Sequence, residues 1–274
     1  MKKQFLFSSH RTRNLKNITK QKKKFLDVVK DLIRISDVVL EVLDARFVDE
    51  TRNLEFEGEI KKQGKKLIYV LNKADLVDVK KKFSDMGDYV YVSAKNKEGI
   101  KELRAKIKEL VKKIDIGEKK RAQVGIIGYP NTGKSTLINL LTGKESARVG
   151  AEAGFTKGMQ KIRFSPGILI LDTPGVIPES EYSHTRKESI QKQVKVGART
   201  IDKIKEPEMV VLELMKDYAK KIQKFYKIKA EGRYDVLIEK LGRKKHFLKK
   251  GGVVDEDRTS RLVIKDWQTG RIKL

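Results

Sequence analysis

Two short stretches decide the fold of this chain: LNKADLV at 71–77 and GYPNTGKST at 128–136. The second matches G-x-x-x-x-G-K-[ST] over Gly128, Tyr129, Pro130, Asn131, Thr132, Gly133, Lys134 and Ser135. It follows an apolar run, AQVGIIGYP, and opens a helix-forming one, GKSTLINLLTG, the context a phosphate-binding loop requires. Its glycines let the backbone turn tightly, so that several N–H groups converge on phosphate oxygens at the positive end of a helix. Asn131, Thr132, Gly133, Lys134, Ser135 and Thr136 are the expected phosphate-side residues. Lys134 is placed to reach the β- and γ-phosphates, and the Ser135 hydroxyl to ligate Mg²⁺. The plain alternative, a glycine turn before an ordinary helix, explains the spacing of none of these.

The first stretch reads as a base selector. In NKAD (Asn72, Lys73, Ala74, Asp75) the Asp75 carboxylate can accept two hydrogen bonds from guanine N1–H and N2–H₂, a donor pair adenine lacks. Asn72 would tie this loop to the phosphate loop, and the Lys73 stem would pack over the ring. About eighteen residues on, VSAK supplies Ser93 to shape the loop, Ala94 to donate its N–H to guanine O6, and Lys95. Alone, NKAD is a polar turn after a strand. In company it specifies a guanine nucleotide, GTP or GDP. A third element, LDTPG, ends another apolar run: Asp172 is placed to hold Mg²⁺ through water, and Gly175 to bring its N–H to the γ-phosphate. Between them, in AGFTKG, Thr156 is a candidate Mg²⁺ ligand.

The surrounding periodicity agrees. DVVLEVLDA, KKLIYVLNKAD, DYVYVSAK, AQVGIIGYP, QKIRFS and GILILDTPG read as strands, and FLDVVKDLIRIS and GIKELRAKIKELVKKI as helices. Apolar strands alternating with helices predict an α/β fold with a mostly parallel sheet covered on both faces. After about residue 180 the strand pattern stops. PEMVVLELMKDYAKKIQKFYKI opens with Pro207 at a favourable first helical position, with Val211, Leu214, Tyr218, Ile222 and Phe225 on one stripe. DVLIEKLG predicts a helix capped by Asp235 and stopped by Gly242, and DEDRTSRLVIKDWQTG a last one. The expected organisation is a basic arm at 1–24, a nucleotide-binding domain at 25–180 and a small, basic, mostly helical domain at 181–274.

Composition narrows the partners. Lys and Arg number 63 against 37 Asp and Glu, a formal charge of +26, and the first clear concentration is RTRNLKNITKQKKK at 11–24. A heat-adapted, Lys-rich surface would balance its lysines with Glu, and this chain does not. The excess predicts a polyanionic partner, nucleic acid before an acidic membrane surface. The arm reads either as a disordered polyanion contact or as the face of a first helix. The chain has no cysteine, which excludes disulfides, thiolate catalysis and Cys-ligated metal. No apolar run approaches the roughly 18 residues of a membrane span, and the N-terminus is not a signal peptide, so a cytoplasmic protein is expected.

The order of the elements is the unusual part: base motif, SAK, phosphate loop, Thr, DTPG. Together with EVLDAR (41–46), ETRN (50–53), GYPNTGKSTLIN, GFTKGMQ, LDTPGVI and, more loosely, GGVVDEDRTSRLVIKD, it resembles the circularly permuted GTPases of the YlqF/RbgA type. The resemblance implies a circularly permuted P-loop GTPase domain, assistance to assembly of the large ribosomal subunit, rRNA as the partner, and a monomer away from the ribosome. A GTPase serving another RNA-processing or RNA-modification step is the alternative; an ATP-using kinase is disfavoured by NKAD. The segment KKIDIGEKKRAQ would be the join between the exchanged halves.

Many GTPases orient the attacking water with a Gln after D-x-x-G, where this chain has Val176. Two candidates remain. Asn131 resembles the Asn that helps related GTPases bind a potassium ion near the β–γ bridge. His10 resembles an N-terminal His proposed to approach the water, although the Pro-Gly that precedes it in the family is missing; an ordinary exposed His is the other reading.

Overall fold

The computed structural model describes residues 26–78, 81–143, 159–173, 175–178 and 187–274, apart from the side chains of three residues at the start of α6. His10 and Thr156 lie outside the described residues. A helix, α1, runs over 26–35. It leads into β1 (Val38–Asp44), α2 (Val48–Thr51), α3 (Leu54–Lys62), β2 (Lys66–Asn72), β3 (Tyr89–Tyr91), α4 (Ile100–Lys112), β4 (Ala122–Gly128) and α5 (Lys134–Thr142). Then come β5 (Gln160–Ser165), β6 (Ile168–Asp172), α6 (Lys187–Lys195), α7 (Pro207–Tyr226), α8 (Tyr234–Lys244) and α9 (Glu256–Gln268).

The six strands form one sheet in the order β3-β2-β1-β4-β6-β5, parallel except for the β5–β6 edge. The expected mostly parallel α/β sheet is present. β1 is buried at every position, as a strand covered on both faces must be. Val38, Leu40 and Val42 face one side, where Leu103 and Ile107 of α4 and Leu137 and Leu141 of α5 complete the core. Val39 faces the other, with Val29, Leu32 and Ile33 of α1 and Phe56 and Ile60 of α3. β1 lies between β2, which ends in the base motif, and β4, which ends in the phosphate loop. Both loops therefore open at the carboxyl end of the same sheet, where open α/β sheets bind ligands. The chain order of the two motifs is reversed, but the strands restore their neighbourhood.

The helices after α6 gather around a second core of Val211, Leu214, Ile222, Leu237, Ile238, Leu241, Val263, Ile264 and Trp267. Phe47, which follows β1, and Tyr129, inside the phosphate loop, are buried in that same cluster. Two expectations for this part need correction. Asp235 is not the cap of α8, because the helix begins at Tyr234 after Arg233. The Arg233 guanidinium takes the Asp235 carboxylate instead. Gly242 does not stop α8, which continues to Lys244; a Cβ there would meet Val254 Cγ1 at 2.3 Å, so the glycine serves close packing. α7 bends at Tyr218, whose φ of −126° is non-helical.

Candidate nucleotide site

The phosphate loop takes its shape from its sequence. Gly128 has φ +148°, and a Cβ there would stand 2.4 Å from the Val42 carbonyl oxygen. Gly133 has φ +95°, and a Cβ there would meet Asn72 Nδ2 at 2.3 Å. No L side chain fits either position. Asn131 lies between them at φ +61°, a region Asn tolerates better than most residues. Lys134 opens α5 and is buried; its Nζ donates to the carbonyls of Gly128 (3.0 Å) and Tyr129 (2.9 Å). Burial lowers its pKa to about 8, against the pull of Asp172. Thr132 is buried and donates through Oγ1 to Tyr129 O. Ser135 and Thr136 follow on the first turn of α5 and are half-buried.

Asn72 joins the two motifs. Its Nδ2 donates to Thr132 O at 2.7 Å, and its Oδ1 accepts from the Ala94 N–H at 3.1 Å. One buried amide thus touches the phosphate loop and the SAK loop together. The Ala94 N–H, expected at guanine O6, is the donor to that amide oxygen. Ser93 Oγ donates to Asp75 Oδ1 at 2.7 Å and accepts from Asn96 N–H, which sets the carboxylate and the turn together. Lys95 is exposed beside them. Lys73 has φ +62°, costing about 1 kcal/mol for a residue with a Cβ. Ala74 begins a short 3₁₀ turn, Ala74–Leu76, that carries Asp75.

Asp172 ends β6 at 1% exposure, and neither carboxylate oxygen has a hydrogen-bond partner among the described residues. Burial pushes its pKa up to about 6, against the opposing charge of Lys134. Two orphaned, buried carboxylate oxygens beside a cationic loop fit a hard cation. Gly175 packs on the loop: a Cβ there would lie 2.8 Å from Lys134 Nζ and 2.9 Å from Pro130 Cα. Val176 donates its N–H to Gly128 O, and its side chain is buried with Leu171 and Ile127. Asn131 Nδ2 donates to Gly197 O at 2.8 Å, beyond α6.

Reading motifs alone missed Asp44 and Arg46, quoted above only as part of EVLDAR. Asp44 ends β1 with no exposure. It pairs with Lys73 Nζ at 2.8 Å and with Arg46, Nε at 3.0 Å and Nη2 at 2.8 Å. Burial alone would raise its pKa, but Lys73 and Arg46 together hold it down to about 2. The available signal was an acid and a base two residues apart at the end of a buried strand.

A parallel sheet with a phosphate loop, a base loop and a strand-end aspartate at one edge defines a P-loop GTPase. A family described as 50S ribosome-binding GTPase matches residues 123–239. Ribosome biogenesis GTPase A of Thermotoga maritima is 33% identical over 251 residues, covering 89% of this chain and 86% of its own length. An uncharacterised GTP-binding protein of Methanocaldococcus jannaschii is 41% identical over 253 residues; these span 89% of this chain but 65% of that protein. The crystal structure of GNP-bound YlqF from T. maritima matches with a TM-score of 0.64 at 28% identity, covering 91% of this chain and 95% of that one. The chain belongs to the YlqF/RbgA-like family of circularly permuted GTPases.

Proposed function

We propose that this chain binds guanine nucleotide between Asp75 and Lys134, hydrolyses GTP to GDP and phosphate, and acts as a switch in ribosome assembly. The observation that carries the proposal is the Asn72 amide, which joins Thr132 of the phosphate loop to Ala94 of the SAK loop. That bridge supports a single nucleotide whose base lies at Asn72–Asp75 and Ser93–Lys95 and whose phosphates lie at Asn131–Thr136 and Gly175. Asp172 and Ser135, with Thr156, would hold Mg²⁺, which neutralises charge on the β- and γ-phosphates. Potassium remains tied to Asn131 by resemblance, and His10 to the attacking water in the same way.

The large subunit and its rRNA are the proposed partners. A relative named for ribosome biogenesis, a family described as 50S-binding and a net charge of +26 support them. Residues 181–274 and the arm at 1–24 would meet RNA phosphates, with 25–180 as the GTPase domain. Among the described residues no helix is long and apolar enough to cross a membrane. We place the protein in the cytoplasm, monomeric off the ribosome. Competition for a fluorescent GDP by GTP, GDP and ATP tests the nucleotide reading; ATP competing as well as GTP would overturn it. Sedimentation with isolated subunits under GTP analogue, GDP or no nucleotide tests the switch.

A further inference from the structure

Asp44 sits at the carboxyl end of the strand between the base loop and the phosphate loop, and it is fully buried. A buried carboxylate is costly unless every lone pair finds a donor. Here the donors are Lys73 Nζ, the Arg46 N–H at 3.1 Å and the Arg46 guanidinium. The Arg46 side chain is itself 1% exposed. Its remaining arm, Nη1, donates to the Trp267 carbonyl at 3.0 Å. That carbonyl lies in the last turn of α9, where it also accepts from the Gly270 N–H at 3.1 Å and where the helix end attracts cations. Lys73, Asp44, Arg46 and α9 thus form one continuous chain of charge-assisted hydrogen bonds, buried at Asp44 and Arg46 and half-buried at Lys73.

A second set of contacts joins the same two partners: the Leu274 hydrogen bonds lie apart from that chain, while Gly270 shares the Trp267 carbonyl with Arg46. Leu274 N–H donates to Leu76 O at 3.3 Å, and Asp78 N–H donates to Leu274 O at 3.0 Å. Gly270, at φ +73°, packs so closely on Leu76 that a Cβ would stand 2.4 Å from Leu76 Cδ1. The turn carrying Asp75 is therefore held from below by Asp44 and from the side by the segment after α9.

We propose that Asp44 and Arg46 are positioning residues for guanine binding, which hold Lys73 in place and make the base loop depend on the docked end of α9. The proposal rests on the guanine reading above and extends it. A Lys73 side chain pinned at its nitrogen has lost its rotamer freedom before the base arrives, so less is lost on binding. Coupling between two sites is reciprocal. Guanine seated on the loop tightens the 265–274 segment, and a partner that draws this segment away loosens guanine. Because GDP and GTP carry the same base, this link distinguishes an occupied site from an empty one. It differs in that respect from a switch that senses the γ-phosphate.

The test measures GDP affinity by fluorescent-nucleotide displacement in the full chain for wild type, Lys73→Ala, Arg46→Ala, the double variant and Gly270→Ala. Arg46→Ala is expected to weaken GDP about tenfold, within the range usual for coupled sites. The double variant is expected to bind no worse than Lys73→Ala alone, because Arg46 acts on the base only through Lys73. Far-UV circular dichroism reports whether Arg46→Ala is folded. If it is not, Gly270→Ala carries the test, since it touches no nucleotide residue and should still weaken GDP several-fold. Amide hydrogen exchange of residues 265–274 in wild type should slow when GDP is added. Unchanged GDP affinity in the folded variants, additive losses in the double variant, or exchange in 265–274 that ignores GDP would each overturn the proposal. Wild type that fails to bind GDP at all would instead overturn the guanine reading beneath it.

Discussion

Replacing Asn72 by Ala should show how much of the site is built before any nucleotide binds. Asn72 is 2% exposed, and its amide makes two hydrogen bonds, to Thr132 O and from Ala94 N–H. The substitution removes one partner from each bond and leaves a buried carbonyl and a buried N–H behind. Each such orphan costs about 1–3 kcal/mol. A combined loss of about 2–4 kcal/mol, the lower part of the range for two such orphans, is expected. In a chain of this size that lowers Tm by about 4–16 °C. GDP binding should weaken about 30- to 100-fold, because the base and phosphate ends are no longer prealigned. Asn72→Asp is nearly isosteric yet should be worse than Ala. It sets a carboxylate oxygen against Thr132 O, where the wild type has a donor 2.7 Å away. The assays are thermal unfolding by circular dichroism at pH 7.5 and displacement of a fluorescent GDP. A Tm within about 1 °C of wild type for Asn72→Ala, or Asp tolerated better than Ala, would refute the bridge.

Asp75→Asn exchanges one acceptor for a donor, so preference should pass from GDP to xanthosine diphosphate, whose base offers a carbonyl in place of the amino group; competition between the two nucleotides checks it. Asp44 is held at about 2 by Lys73 and Arg46 against the cost of burial. Its folded pKa is depressed, so its contribution of about 2 kcal/mol is present above pH 4 and is lost as pH falls from about 4 to 2. Acid unfolding of Asp44→Asn should lack that part of the transition. Asp172→Asn should abolish Mg²⁺-dependent turnover, measured as phosphate release. The same change should raise the thermal stability of nucleotide-free protein in chelator at pH 7.5, because it removes a carboxylate whose ionisation burial opposes.

Much of the sheet was legible from the sequence, since its signals are local. Apolar runs such as GILILDTPG mark strands, and the loop glycines and motif residues follow at fixed offsets. What escaped depends on contacts between distant segments. Tyr129 reads as a variable loop position, yet it is buried against helices that begin some sixty residues later. Asp235 reads as a cap because capping is a local preference, and the neighbouring Arg233 competes successfully for its carboxylate. Gly242 reads as a stop because glycine weakens helices, but Val254 leaves no room for anything larger. Arg46 drew no reading of its own within EVLDAR, because its role depends on the α9 carbonyl that closes its shell. α6 went unread because KESIQKQVK holds only two apolar residues, Ile190 and Val194, too few to mark a helix alone, and the edge direction of β5 has no signature in QKIRFS.

Val176 occupies the place from which many G proteins aim a water molecule, and here it is sealed into an apolar cluster with Leu171 and Ile127. An aliphatic side chain committed to the interior can neither donate nor accept. The interior has claimed this position for packing, so the aim of the water falls to a group elsewhere, whether Asn131 or His10 in this chain or a residue of a bound partner.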